Sequence, residues 1–224
     1  MPKDLYENPC KRFSLIKVQR EKLEHFNIKV HPNFLGLFQC SKELFRCLSV
    51  PFDNNLSSTF DIWQDSQSSQ NYLLYDFYHY LYLLNSSQQK IKFKIYALPT
   101  STHDLRDLSI FSSYRLIEDM KRYQYNLDQM NPQRLNTLLN RSVSPTVILQ
   151  LNRAKLSTSS YTMSLESLAE LLGFTRHRFN YRIKLLKDLH STELEALEQQ
   201  SEIVKKLVQD RSYTLSAQDI WSIK

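Results

Sequence analysis

Apolar side chains recur at helical spacing along most of this chain and alternate with polar ones over only a few short stretches. Leu37, Ser41, Leu44, Phe45 and Leu48 predict a helix over 34–48, ended by Pro51. Leu105, Leu108, Phe111, Leu116, Ile117 and Met120 predict a longer one over 104–127. Asn131-Pro132 opens a helix to about Asn140, with Leu135, Leu138 and Leu139 inside, and 146–156 continues as another after Pro145. Alternation is clearest over 89–98, where Ile91, Phe93 and Ile95 oppose Lys90, Lys92 and Lys94. Those lysines either touch phosphates or guard a strand edge. Shorter strands are expected at 16–18 and 26–30, with a helical turn at 21–26 between them.

Segment 72–84 is the most apolar and carries Tyr72, Tyr75, Phe77, Tyr78, Tyr80 and Tyr82. Aromatics at helical spacing read first as core, and second as a platform for single-stranded bases. Segment 52–70 is rich in Ser, Asn, Asp and Gln and reads as a surface loop pinned by Phe60, Ile62 and Trp63. Thr192 and Glu195 form a capping box for a helix over 192–211, whose Leu194, Leu197, Val204 and Val208 fall near a heptad. A short helix is expected over 216–223. The expected fold is therefore α+β and mostly α-helical. It has a small mixed N-terminal region, 1–130, and a helical region, 131–224.

Within that second region, Met163 to Asp188 reads as two helices joined at a glycine. Leu165, Leu168, Ala169 and Leu172 give the first an apolar face, and Ser164 can cap it. Gly173 ends it in the left-handed conformation. Thr175 caps the second helix, whose buried stripe is Phe179, Ile183 and Leu186. Its other positions are cations and hydrogen-bond donors with no acid before Asp188, the chemistry that pairs with purine edges and phosphates. A helix-turn-helix over 164–188 is the expectation.

Composition narrows the choice. The net charge of +6 favours a polyanionic partner. Two glycines in 224 residues exclude the glycine-rich loops that cradle nucleotides. Cys10, Cys40 and Cys47 match no metal or redox spacing and read as free thiols in a reducing compartment. No signal peptide and no membrane span is expected, which places the protein in the cytoplasm, on the nucleoid. The six histidines form no ligand set, and Asp104 and Asp107 beside His103 suit a helix N-terminus, so no catalysis and no metal are expected.

The residues LAELLGFTRHRFNYRIKLL resemble the helix-turn-helix of the ParB-like partition protein family. There a glycine turn precedes a small hydroxyl residue, an arginine, an apolar residue and a closing run of leucines. Here these are Gly173, Thr175, Arg176, Phe179, Ile183, Leu185 and Leu186. Leu116 to Arg122 is similar to the segment that precedes that family's DNA-binding domain, and Glu7-Asn8-Pro9 to its entry motif. The family's glycine- and arginine-rich nucleotide-binding motif has no counterpart. The resemblance implies DNA binding without a nucleotide cofactor.

The expected function is sequence-specific binding of double-stranded DNA, for plasmid or mobile-element maintenance or transcriptional regulation. Thr175, Arg176, His177, Asn180, Tyr181 and Lys184 would face the major groove, with Arg178, Arg182 and Lys187 on the phosphates of its walls. Lys121 and Arg122 would add backbone contacts, followed by the lysines of 90–94. Helix 192–211 would pair two copies into a homodimer. The alternative is a protein-interaction adaptor or inhibitor from a mobile element, with the helix pair as scaffold and 72–82 as the contact surface.

Overall fold

Alternation and helical periodicity produce the expected α+β fold, and its strands lie in one mixed sheet. The structure, a computed structural model, describes residues 12–49, 59–85, 90–156, 159–189 and 191. The strands are β1 (Leu15–Glu21), β2 (Ile28–Val30), β3 (Thr59–Gln64), β4 (Asn71–Leu73) and β5 (Ile91–Ala97), in the order β1-β5-β3-β4-β2. β1 pairs antiparallel with β5, β5 parallel with β3, β3 antiparallel with β4, and β4 parallel with β2. The helices are α1 (Leu35–Arg46), α2 (Phe77–Asn85), α3 (Thr102–Arg122), α4 (Pro132–Ser142), α5 (Pro145–Leu156), α6 (Leu165–Leu171) and α7 (176–189).

Three expectations need correction. Segment 52–70 is not wholly a loop, because 59–64 is strand β3, in the middle of the sheet. Phe60, Ile62 and Trp63 are its fully buried residues. β5 is not an edge, since it has β1 on one side and β3 on the other, so its lysines do not guard one. The aromatic segment is neither an open base-stacking platform nor an open contact surface. Its first residues lie in and after β4, the rest form α2, and Tyr75, Phe77 and Tyr78 are buried.

Both faces of the sheet are partly covered. On one, Phe60 and Phe93 meet edge to face at 6.0 Å, Phe26 packs 4.2 Å from Phe93, and His79 and Tyr80 of α2 close over Phe60. On the other, Trp63 meets Phe13 at 4.9 Å and Tyr75 at 6.5 Å, and Tyr75 meets Phe111 of α3. Buried aromatic surface of this extent supplies much of the stabilisation.

α1 packs on α2, α3 and α4. Gly36 makes its approach to α4 possible, because a Cβ there would collide with the side chain of Ser142. Arg134 of α4 closes the contact with a 2.8 Å ion pair to Glu43. The chain divides into two compact units, Met1–Phe179 and Asn180–Lys224. One buried cluster of the first unit runs from Phe34 to Phe179, with members on both sides of residue 130. The helices expected at 192–211 and 216–223 lie outside the described residues. Among the described residues, no helix is long and apolar enough to cross a membrane.

Candidate nucleic-acid interface

The pair α6 and α7 is built by short-range rules and then anchored by asparagines. Ser164 caps α6, its Oγ accepting the Ser167 N–H at 3.0 Å. Leu168, Ala169 and Leu172 are buried and Leu165 half-buried, as the apolar face requires. Gly173 has φ +77°, and a Cβ there would meet nothing within 4 Å, so the need for glycine is conformational, not spatial. The Gly173 N–H donates to Glu170 O and the Phe174 N–H to Ala169 O, at 3.1 and 2.8 Å. That double bond closes the helix end in a Schellman arrangement. Thr175 Oγ1 then accepts the Arg178 N–H at 3.4 Å and starts α7.

The segment entering α6 is held from α4 and α5. Asn136 and Asn140 both donate to Met163 O at 2.9 Å, and Asn140 Oδ1 accepts the Met163 N–H at 2.7 Å. Asn152 Nδ2 donates to Ser160 O and Thr162 O. Side-chain amides here perform the pairing that an extended strand would get from a neighbour. Each such bond is worth about 1 kcal/mol, and together they fix where α6 begins.

The predicted contact residues are almost all accessible. Thr175, Arg176, His177, Arg178, Asn180, Tyr181, Lys184 and Lys187 are exposed, while Phe179 is buried. Tyr181 stands 60% exposed, as does Tyr161. Arg182 differs, being half-buried. Arg176 and Arg178 have partners in the first unit. Arg176 lies 3.6 Å from Glu166 of α6, and both side chains remain well exposed, so the pair is weak and open to competition by phosphate. The Arg178 guanidinium sits 5.5 Å over the Phe174 ring, a contact that orients its head group. Neither Glu166 nor Phe174 was expected from sequence, since each acts across the turn.

Lys121 and Arg122, more than 40 positions upstream, are exposed at the end of α3. A groove of about 670 Å³ has these two residues and Tyr123 on one wall, and Glu170 to Phe174 on the other. The structure thus brings the second-rank cations to the glycine turn. Lys121 is partly engaged, 3.0 Å from Glu118. Behind them Asp119 has its pKa pushed up to about 7, first by burial and then by the Asp76 charge, against the pull of Arg115 and Arg122. Lys92 and Lys94 belong to strand β5 instead, and Lys90 immediately precedes it. Among the described residues no cluster of His, Cys, Asp or Glu is placed to hold a metal ion. Cys40 and Cys47 are buried free thiols, and burial raises the Cys40 pKa to about 12. Comparison with known protein families, with curated proteins and with solved structures yields no match to this chain.

Proposed function

We propose that this protein binds double-stranded DNA at specific sites, with α6 and α7 as a helix-turn-helix and α7 in the major groove. The observation that carries the reading is the exposure pattern of 175–187. Apart from half-buried Arg182 the donors and cations are exposed, and of the expected buried stripe Phe179 is buried while Ile183 and Leu186 are half-buried. A turn closed by Gly173 and a cap at Thr175 support a defined start for α7. Arg176, His177, Asn180, Tyr181 and Lys184 read base edges, while Arg178 and Lys187 hold phosphates. Half-buried Arg182 is assigned the smallest share of the phosphate contact. Lys121 and Arg122 add a backbone contact beside the turn. The biological consequence is occupancy of a defined site, for plasmid or mobile-element maintenance or transcriptional control, by a homodimer formed through 192–211.

The test is selection of bound sequences from a random duplex library, followed by affinity measurements on the recovered site. Wild type should recover a motif. Arg176→Ala with Asn180→Ala should lose about 2–6 kcal/mol of preference for it, at about 1–3 per base contact, while unfolding at the same temperature. Recovery of the same motif by the double variant would remove α7 from the reading role.

A further inference from the structure

The open face of β1 and β5 carries a charge arrangement that the core does not explain. Ile91, Phe93 and Ile95 of β5 are buried, so Lys92 and Lys94 lie on the opposite face. Antiparallel pairing sets Arg20 directly against Lys92 and Val18 directly against Lys94, which brings all four to that one face. Arg20 and Lys92 are exposed, Lys94 is half-buried, and Val18 keeps 48% of its surface in water. Two cations directly opposite each other across a ladder destabilise the pair. Among the described residues, none of Arg20, Lys92 and Lys94 takes part in an ion pair. Edge protection does not account for Lys92 and Lys94, because β5 is an interior strand, whereas Arg20 and Val18 lie on the edge strand β1. Asp61, in register with Lys94 across the β3–β5 ladder, accepts the Tyr75 hydroxyl at 2.9 Å and is half-buried.

We infer that this face binds the sugar-phosphate backbone of a nucleic acid, independently of base sequence. A bridging phosphate relieves the repulsion between Arg20 and Lys92, and neighbouring side chains on β5 repeat about every 6.8 Å, a step suited to successive anionic groups. Val18 lends a flat, half-dehydrated floor that a sugar can cover. The aromatics on this face, Trp63 and Tyr96, are buried, so the contact rests on charge and carries no base stacking. The inference rests on the duplex-binding reading only in its choice of polyanion.

The test uses the full-length chain and a labelled duplex of arbitrary sequence, with affinity followed from about 50 to about 200 mM salt. Arg20→Gln, Lys92→Gln and Lys94→Gln together should flatten the slope of log affinity against log salt by about 2–3. Preference for a selected site over arbitrary DNA should stay as in wild type. An unchanged slope overturns the inference. Val18→Lys, a surface change that does not depend on the triple variant folding, should steepen the slope by about 1; no steepening also overturns it. Repeating both in the Arg176→Ala, Asn180→Ala background separates the two claims. If the sheet variants still change the slope while no variant shows site preference, the sheet face stands and the α7 reading fails. If the variants alter binding to phosphatidylglycerol vesicles and leave duplex binding untouched, the partner is a lipid surface and the inference fails.

Discussion

Among single residues, Asp119 is the one whose chemistry is least expected. It sits two positions before Lys121, at the end of α3, where Tyr123 N–H and the Tyr125 hydroxyl both bond its backbone carbonyl. A carboxylate at a helix C-terminus opposes the backbone dipole, and burial opposes its charge further. With its folded pKa at about 7, against an ordinary value of 3.8, the folded chain holds this proton more tightly than the unfolded chain. Its contribution therefore favours folding below the ordinary carboxylate range and is lost as pH rises through about 7. Asp119→Asn should remove that loss. The melting temperature of the variant, compared with wild type, should gain on the order of 10 °C between about pH 4 and about pH 8. A difference that stays flat across that range would mean that the carboxyl is ionised throughout. His79 shifts the other way, since burial lowers its pKa, so only the difference between the two proteins isolates Asp119.

At the scale of elements, the two glycines serve different needs. Gly173 provides a positive φ in open space, whereas Gly36 provides room between α1 and α4. Gly36→Ala should cost about 1–3 kcal/mol by overpacking, and Ser142→Gly in the same chain should restore much of it. Urea unfolding of the two variants measures both, and an additive loss would disprove the steric cause. Most helices were legible because each carries an apolar stripe at 3.6-residue spacing, and the helix starts at Asn131 and Ser164 follow from amide and hydroxyl chemistry, while the Ser101 cap of α3 was not expected from sequence. β3 was not legible. Its Phe60, Ile62 and Trp63 sit among polar residues, and Trp63 breaks the alternation because both faces of the sheet are covered there. The strand exists because β5 and β4 supply its partners. The site was more legible than the sheet. Ser164, Gly173 and Thr175 act within three residues of themselves, so their roles could be read from adjacent sequence.

For the molecule as a whole, net charge and the proposed pairing of two chains make separate predictions. A net charge of +6 in the whole chain, with cations gathered at α7, at the end of α3 and on the β1–β5 face, predicts binding that weakens steeply with salt. A homodimer predicts two chains on one palindromic site. Light scattering on the complex should give two chains per duplex, and one chain per palindrome would exclude pairing through 192–211. The sequence alone determined most of the described helical segments, where α6 starts and stops, where α7 starts, and which residues of α7 carry donors and cations. Those properties depend on neighbours a few positions away. Tertiary structure decided the order of the strands, the burial of the aromatic segment, the meeting of Lys121 and Arg122 with the glycine turn, and the placing of Arg20 against Lys92. These depend on pairings between residues tens of positions apart, where the loss of chain entropy on closing each loop is offset only by the finished core.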